Sequence, residues 1–170
     1  MGDPLSVDGG AYLGAMAMLP TGVTVVTIAD GRDDIGATVS ALVSVSVDPP
    51  VVMLSVDSEG YVAEVVAEVG AFAVSVLSAD QRALAGRFSA EGRPSARLLV
   101  SGQPHHRGEH TRAIVLDEAL SALECSVRQK VEVGDHTVFF ADVVGLPKVG
   151  ADRPGPAMVR WGGRYHSVEP

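Results

Sequence analysis

The sequence predicts a mainly β domain with short helices, its antiparallel strands closed or nearly closed into a barrel. Three observations predict it. Val, Ala, Gly and Ser recur through a chain of 170 residues that is 46% hydrophobic and 20% charged, a folded and strand-leaning composition. At least six extended runs are separated by turn chemistry. The regular strand-helix alternation of a parallel doubly wound sheet is absent, as is any internal repeat. So many strand edges are best protected by closure. The length suits one sizeable core, so residues 1–170 read as a single domain.

Residues 9–18 read as a short helix with Tyr12, Leu13, Met16 and Ala17 on one side, stopped by Pro20 and expected to pack across a barrel end. The β-branched run from Val23 to Ile28 is a strand. Asp30-Gly31-Arg32-Asp33-Asp34 is a turn, and a second extended segment from Ile35 to Val47 completes a hairpin. Asp48-Pro49-Pro50 breaks it, and Val51 to Val56 resumes as a strand. Ser58 offers an N-cap to a helix over residues 59–68, which Gly70 terminates. Phe72 to Leu77 is the next strand, and Ser78 with Gln81 forms a capping-box pattern for a helix through Leu84 to Phe88. Residues 89–112, rich in Gly, Pro, Arg and His, read as a long loop of the kind compact domains keep for binding or assembly. Leu120 to Val133 and His136 to Val149 are long strands joined by Gly134-Asp135, and Met158 to Trp161 and Tyr165 to Val168 form a last pair.

The net charge of -8 argues against nucleic acid or an anionic membrane as partner, because phosphate affinity comes from clustered Lys and Arg. Any anion site must be local. The lone cysteine, Cys125, sits in an apolar run and reads as a small buried strand residue. No basic N-terminal region precedes a long apolar stretch and no segment reaches membrane-spanning length, so a cytoplasmic protein is expected.

From Thr38 to Val47 hydroxyls take the even positions, apart from Leu42, and Val or Ala the odd ones, which on one strand puts Thr38, Ser40, Ser44 and Ser46 on a single face. A solvent-facing strand can also carry hydroxyls, but such faces usually carry Lys, Glu or Arg as well. A ring with an apolar end and a polar edge, such as a flavin, suits the strip. Arg82, Arg87, Arg93 and Arg97 crowd one segment of an acidic chain, where one or two could hold a phosphate and the rest be solvated. Arg87 stands beside Phe88. His136 at a hairpin turn is either a surface residue or a partner for an amide or ribose at a barrel mouth. His105, His106 and His110 with Glu109 match no zinc spacing, so no metal is expected. Gly-x-Ser-x-Gly, a P-loop and Gly-x-Gly-x-x-Gly are all missing, against hydrolysis, nucleotide-triphosphate chemistry and a Rossmann site.

Leu19-Pro20-Thr21-Gly22-Val23-Thr24-Val25-Val26-Thr27, then Ala37 to Ser46, Asp48-Pro49-Pro50, Phe72 to Leu77 and Gly134-Asp135-His136 together resemble the flavin reductase family with the FMN-binding split-barrel fold. The likeness in order and spacing runs from about Leu13 to Tyr165. It is nearest to the NADH:flavin oxidoreductases that supply reduced flavin to monooxygenases. It implies flavin contacts, to FMN or FAD, from Thr38, Val39, Ser40, Ala41, Ser44, Val45 and Ser46. The pocket would continue through Ser55, Val56 and Asp57, with Arg87 and Phe88 closing it and His136 facing the nicotinamide. It further implies NADH as co-substrate, with NADPH the alternative, a homodimer, and a separate monooxygenase that receives reduced flavin by diffusion. By the same resemblance no catalytic side chain is expected, because hydride would pass directly from nicotinamide C4 to flavin N5.

Two positions depart from the family pattern: Ala41 stands where many members have Ser or Asn, and Leu42 where many have Phe. Backbone N-H groups would then supply the hydrogen bond that the side chain makes elsewhere. Two other readings compete. One is a split-barrel flavoprotein that retains FMN and oxidises a small substrate; the other is a non-enzymatic ligand-binding barrel.

Overall fold

The computed structural model of the chain describes residues 7–31, 33–150 and 155–170; Arg32 of the expected first turn lies outside them. Helix α1 (Gly9–Met16) begins where the Asp8 carboxylate accepts the Ala11 N-H. Strands β1 (Thr21–Gly22), β2 (Thr24–Ala29), β3 (Asp34–Val39), β4 (Leu42–Val47) and β5 (Pro50–Asp57) follow. Helix α2 (Tyr61–Val69), strand β6 (Ala71–Val76), a 3-10 turn (Ala79–Gln81) and helices α3 (Arg82–Ser89) and α4 (Ala96–Leu99) come next. The chain ends with β7 (His105–Arg107), β8 (Ile114–Leu116), β9 (Ser121–Val133), β10 (His136–Gly145), β11 (Ala157–Trp161) and β12 (Arg164–Val168).

Seven strands form the main sheet in the order β3-β2-β6-β9-β10-β5-β4, every neighbouring pair antiparallel. Its two edges, β3 and β4, are consecutive in the chain with only Ser40 and Ala41 between them. In a flat sheet six strand spacings would hold the edges roughly 29 Å apart. The three Cα steps from Val39 to Leu42 reach about 11 Å at most. The sheet must therefore coil until its edges meet at Ser40-Ala41, where the Ser55 N-H donates to the Ala41 carbonyl at 3.0 Å. The sheets remain open, which is the antiparallel split barrel that the resemblance implies. Strands β1, β11 and β12 form a second sheet, and β7 and β8 a third.

Strand β2 is buried along nearly its whole length because both of its faces are covered. Val26 and Ile28 join a core with Leu54, Phe72, Phe139 and the buried side of α2, Val62, Val65 and Val66. Val23 and Val25 join a second core with Leu84 and Phe88 of α3, Leu99 of α4, and Ile114 and Leu116 of β8. Cys125 is fully buried in the first, and burial, with Glu124 adding to it, pushes its thiol up to about 12. Glu124 is buried too. Burial alone would raise its carboxyl, but one oxygen accepts from the Thr111 N-H at 2.7 Å, the Thr111 hydroxyl and the His110 N-H, which together hold it below the usual carboxylate range. That bond set pins the turn before β8 to the main sheet.

Several expectations need correction. The extended run 35–47 is two strands on opposite edges of one sheet, not one strand of a hairpin. Ser58 does not cap α2: its hydroxyl meets that of Thr137 at 2.8 Å, and Gly60 takes the N-cap position without a side-chain bond. Helix α1 forms, yet Tyr12, Leu13 and Met16 are exposed rather than packed across a barrel end. Residues 89–112 contain α4 and β7, so they are not a structureless loop. The capping box at Ser78 and Gln81, the Gly70 stop in left-handed conformation and the tight β9-β10 hairpin at Gly134-Asp135 form as expected.

Candidate functional site

The corner where the sheet edges meet opens into a cavity of about 740 Å³, within the range of small-molecule sites. Strand β3 and the corner supply residues 35–41, the end of β5 supplies Ser55, Val56 and Asp57, and the start of α2 supplies Gly60, Tyr61 and Val62. Phe88 and Ser89 close it from α3, residues 92–95 from the following segment, and His136 from the start of β10. The ladder of β3 ends at Val39 and that of β4 begins at Leu42, so the Ser40 and Ala41 N-H groups stand outside both. No side chain caps α2 at Gly60, so the positive end of its dipole faces the same space.

The local packing explains the shape. The Thr38 hydroxyl donates to the Ala85 carbonyl at 2.7 Å, tying β3 to α3 and leaving the Thr38 oxygen only as an acceptor. Gly36 lies against the Phe88 ring: a Cβ there would come within 2.5 Å of Cε1. Arg93 folds back over β3, its Nε donating to the Gly36 carbonyl at 2.6 Å and its Nη1 to the Ala90 carbonyl at 3.2 Å. Partial burial pushes the Arg93 guanidinium down from its ordinary value. Asp33 accepts from the Ser95 hydroxyl and the Asp34 N-H, and these bonds hold its carboxyl below the usual range.

Behind this wall Asp34 is 1% exposed and takes Arg97 and both terminal nitrogens of Arg107. Burial alone would raise the Asp34 carboxyl; the hydrogen bonds and charge of Arg107 and Arg97 outweigh it and hold the group below its ordinary value. At the opposite rim His136 pairs across strands with Asp57. Its Nδ1 lies 2.8 Å from an Asp135 carboxylate oxygen, which lowers the Asp135 carboxyl. No described residue bonds its Nε2.

Of the residues singled out from the sequence, Thr38, Val39, Ser40, Ala41, Ser55, Val56, Asp57, Phe88 and His136 line this cavity. Ser44, Val45 and Ser46 do not. They sit in β4, where a register shift places Ser44 opposite Val52 and Ser46 opposite Val51, so the two hydroxyls fall on opposite faces. Arg87 also points away, its Nη1 donating to the Leu99 carbonyl at 3.4 Å; Arg93 is the cavity's arginine instead. Of the other two, Arg82 donates to the Tyr165 carbonyl and Arg97 serves Asp34. Sequence reasoning missed Gly36, Tyr61 and the pair Pro94-Ser95, and it offered Arg93 only as one of four arginines for a phosphate. The one signal for that segment was the run of arginines in a long polar stretch.

This lining suits a flat ring with one apolar and one polar side. Val39, Val56, Val62 and Phe88 give apolar wall, while the corner N-H groups and Ser40 give short donors. Arg93 and the uncapped α2 end favour an anionic group. Among the described residues no group of three or more His, Cys, Asp or Glu side chains is placed to hold a metal, and no helix is long and apolar enough to cross a membrane.

Comparison with known proteins gives one family. The profile of the flavin reductase-like domain matches residues 16–169. An NADH-dependent FMN reductase of Streptomyces nodosus subsp. asukaensis is 34% identical over 161 residues, 91% of this chain and 82% of that protein. An NADH-dependent FAD reductase of Streptomyces globisporus is 34% identical over 151 residues, 89% and 81% of the two chains. Among solved structures, the flavin reductase component of a bacterial two-component tryptophan halogenase superposes with a TM-score of 0.87 at 30% identity. That match covers 96% of this chain and 99% of that one.

Proposed function

The chain belongs to the flavin reductase-like domain family, and from that premise we propose that it reduces FMN or FAD with NADH and releases the reduced flavin to a separate monooxygenase. Two observations carry the proposal: the family profile covers residues 16–169, and a cavity fit for a flavin ring opens where β3 crosses to β4. A bound flavin supplies the hydride-accepting ring. The protein's own part is to orient and to stabilise charge. Ser40 and Ala41 present N-H groups to the polar edge of the ring, which gains negative charge on reduction. Phe88, held by Gly36, sets the apolar wall. Arg93 and the α2 N-terminus offer positive charge to the phosphate, and His136, half-exposed at the rim, meets the nicotinamide side.

Residues 1–170 act in this proposal as one domain, and the protein works in the cytoplasm as a homodimer. The outer face of the β4-β5-β10 edge supports the dimer: Val43, Met53 and Phe140 stand in register there, Val43 exposed and the other two half-buried, an apolar face for a second copy. The test is NADH and NADPH oxidation with riboflavin, FMN and FAD added in turn. The expected result is NADH consumption that depends on added FMN or FAD. Flavin that stays bound through gel filtration, with no turnover of added flavin, would indicate a retained-flavin oxidase. No flavin spectrum and no NADH consumption would indicate a binding barrel.

His136→Ala is expected to raise the KM for NADH by roughly 5-fold, the worth of one hydrogen bond of about 1 kcal/mol, with a smaller change in flavin affinity. Steady-state kinetics beside a flavin fluorescence titration separate the two, and unchanged kinetics would remove His136 from the site.

A further inference from the structure

Asp33 lines a second recess as well as the main cavity. This recess, of about 160 Å³, is bounded by Asp33, Asp34 and three arginines, Arg97, Arg107 and Arg112. Three cations converge there in a chain whose net charge is -8. Asp34 neutralises only part of that charge. It engages Nε of Arg97 and the two terminal nitrogens of Arg107, so Arg97 keeps its terminal N-H groups. None of the ion pairs among the described residues uses Arg112.

The backbone at Arg112 is unusual as well. Its φ of 59° makes it the one non-glycine residue in the left-handed region among the described residues. A residue without a short polar side chain meets a steric cost there, and such positions persist where the surroundings fix them. Here they do. The Arg112 N-H donates to the Gly108 carbonyl at 3.2 Å, and the Arg112 carbonyl accepts from Nη1 of Arg107 at 3.0 Å. Arg112 thus lines the recess on a held backbone, beside Asp33 and Asp34, and no ion pair among the described residues takes its guanidinium.

We propose that this recess takes a phosphate of the adenylate half of a dinucleotide whose other half occupies the main cavity. The inference rests on the flavin reductase reading. Guanidinium groups are the side chains best matched to phosphate oxygens, and the carboxylate of Asp33, at the junction of the two spaces, is an acceptor for ribose hydroxyls. Both dinucleotides of the reaction, FAD and NADH, carry that half, and FMN does not.

The test uses the full chain and Arg112→Ala, with Arg112→Lys as the charge-keeping control. Calorimetric titration with ADP is expected to show binding to the unaltered protein, about 10-fold weaker binding to Arg112→Ala, and partial recovery in Arg112→Lys. Titrations with FAD and FMN, and with NADH and its reduced mononucleotide, then identify the ligand. The dinucleotide that uses the recess loses about 10-fold while its mononucleotide stays within about 2-fold. Equal loss for a dinucleotide and its mononucleotide, or no loss for ADP, FAD and NADH alike, overturns the proposal. If the protein turns over no flavin yet binds ADP through Arg112, the functional reading fails and the recess stands.

Discussion

Asp34→Ala is expected to lower the stability of the fold by about 3 kcal/mol, the low end for breaking a buried ion pair. Asp34 is almost wholly buried, and among the described residues it is the one carboxylate in an ion pair with Arg97 and Arg107. The low end applies because the arginine side chains are 54% and 34% exposed, so water recovers part of what they lose. For a chain of this length that loss corresponds to a fall in Tm of roughly 10 °C, measurable by calorimetry or thermal circular dichroism. The damage reaches the site. Asp34 opens β3 and ties it to α4 through Arg97, while its neighbour Asp33 holds Ser95 on the cavity wall. Flavin affinity should fall with stability, and a variant that keeps its Tm would remove the ion pair from the scaffold.

The same group gives stability a pH dependence of known sign. The folded-state carboxyl of Asp34 sits below its ordinary value, so its contribution is fully present above the unfolded value near 4 and is lost as pH falls through the lower, folded one. Asp33 and Glu124 are shifted in the same direction. Urea unfolding across the acid range should therefore show a decline that is shallower for Asp34→Ala than for the unaltered protein, and not abolished in it.

Local signals were legible where the structure they specify is local. The capping box at Ser78, the Gly70 stop and the Gly134-Asp135 turn each act within a few residues, and each forms. The hydroxyl strip misled because alternation in sequence is blind to a change of partner: the chain leaves one ladder at Val39, turns the corner, and joins another at Leu42 without breaking its period. Nor could the period reveal the register shift that puts Ser44 and Ser46 on opposite faces. Arg87 and Arg93 look alike in sequence. Only the long-range bond from Arg93 to the Gly36 carbonyl, 57 residues away, decides which of them borders the cavity. Helix α1 carries Tyr12, Leu13 and Met16 as expected, but they stay exposed among the described residues.

Gly36 shows how a residue with no chemistry of its own shapes the site. In Gly36→Ala the new methyl would lie 2.5 Å from Cε1 and 3.0 Å from Cδ1 of Phe88, on a strand whose backbone is held on one side by β2 and over the top by Arg93. The backbone cannot yield without breaking the ladder, so the ring must. Phe88 is fully buried against Leu84, Leu99 and Ile114 and borders the cavity. Overpacking of this kind costs about 1–3 kcal/mol in stability. The larger effect is expected on binding: a ring pushed into the apolar wall should weaken flavin affinity by about 10-fold or more, as for a lost contact worth at least 1.4 kcal/mol. The pair Gly36→Ala with Phe88→Leu tests the cause, because leucine has no ring edge where the methyl arrives. If the clash is with the ring, the double variant is more stable than the sum of the single losses, a coupling that neighbouring residues commonly show. Additive losses would mean that the alanine disturbs β3 itself, and the shape of the cavity would then rest on the strand and not on the fit between Gly36 and Phe88.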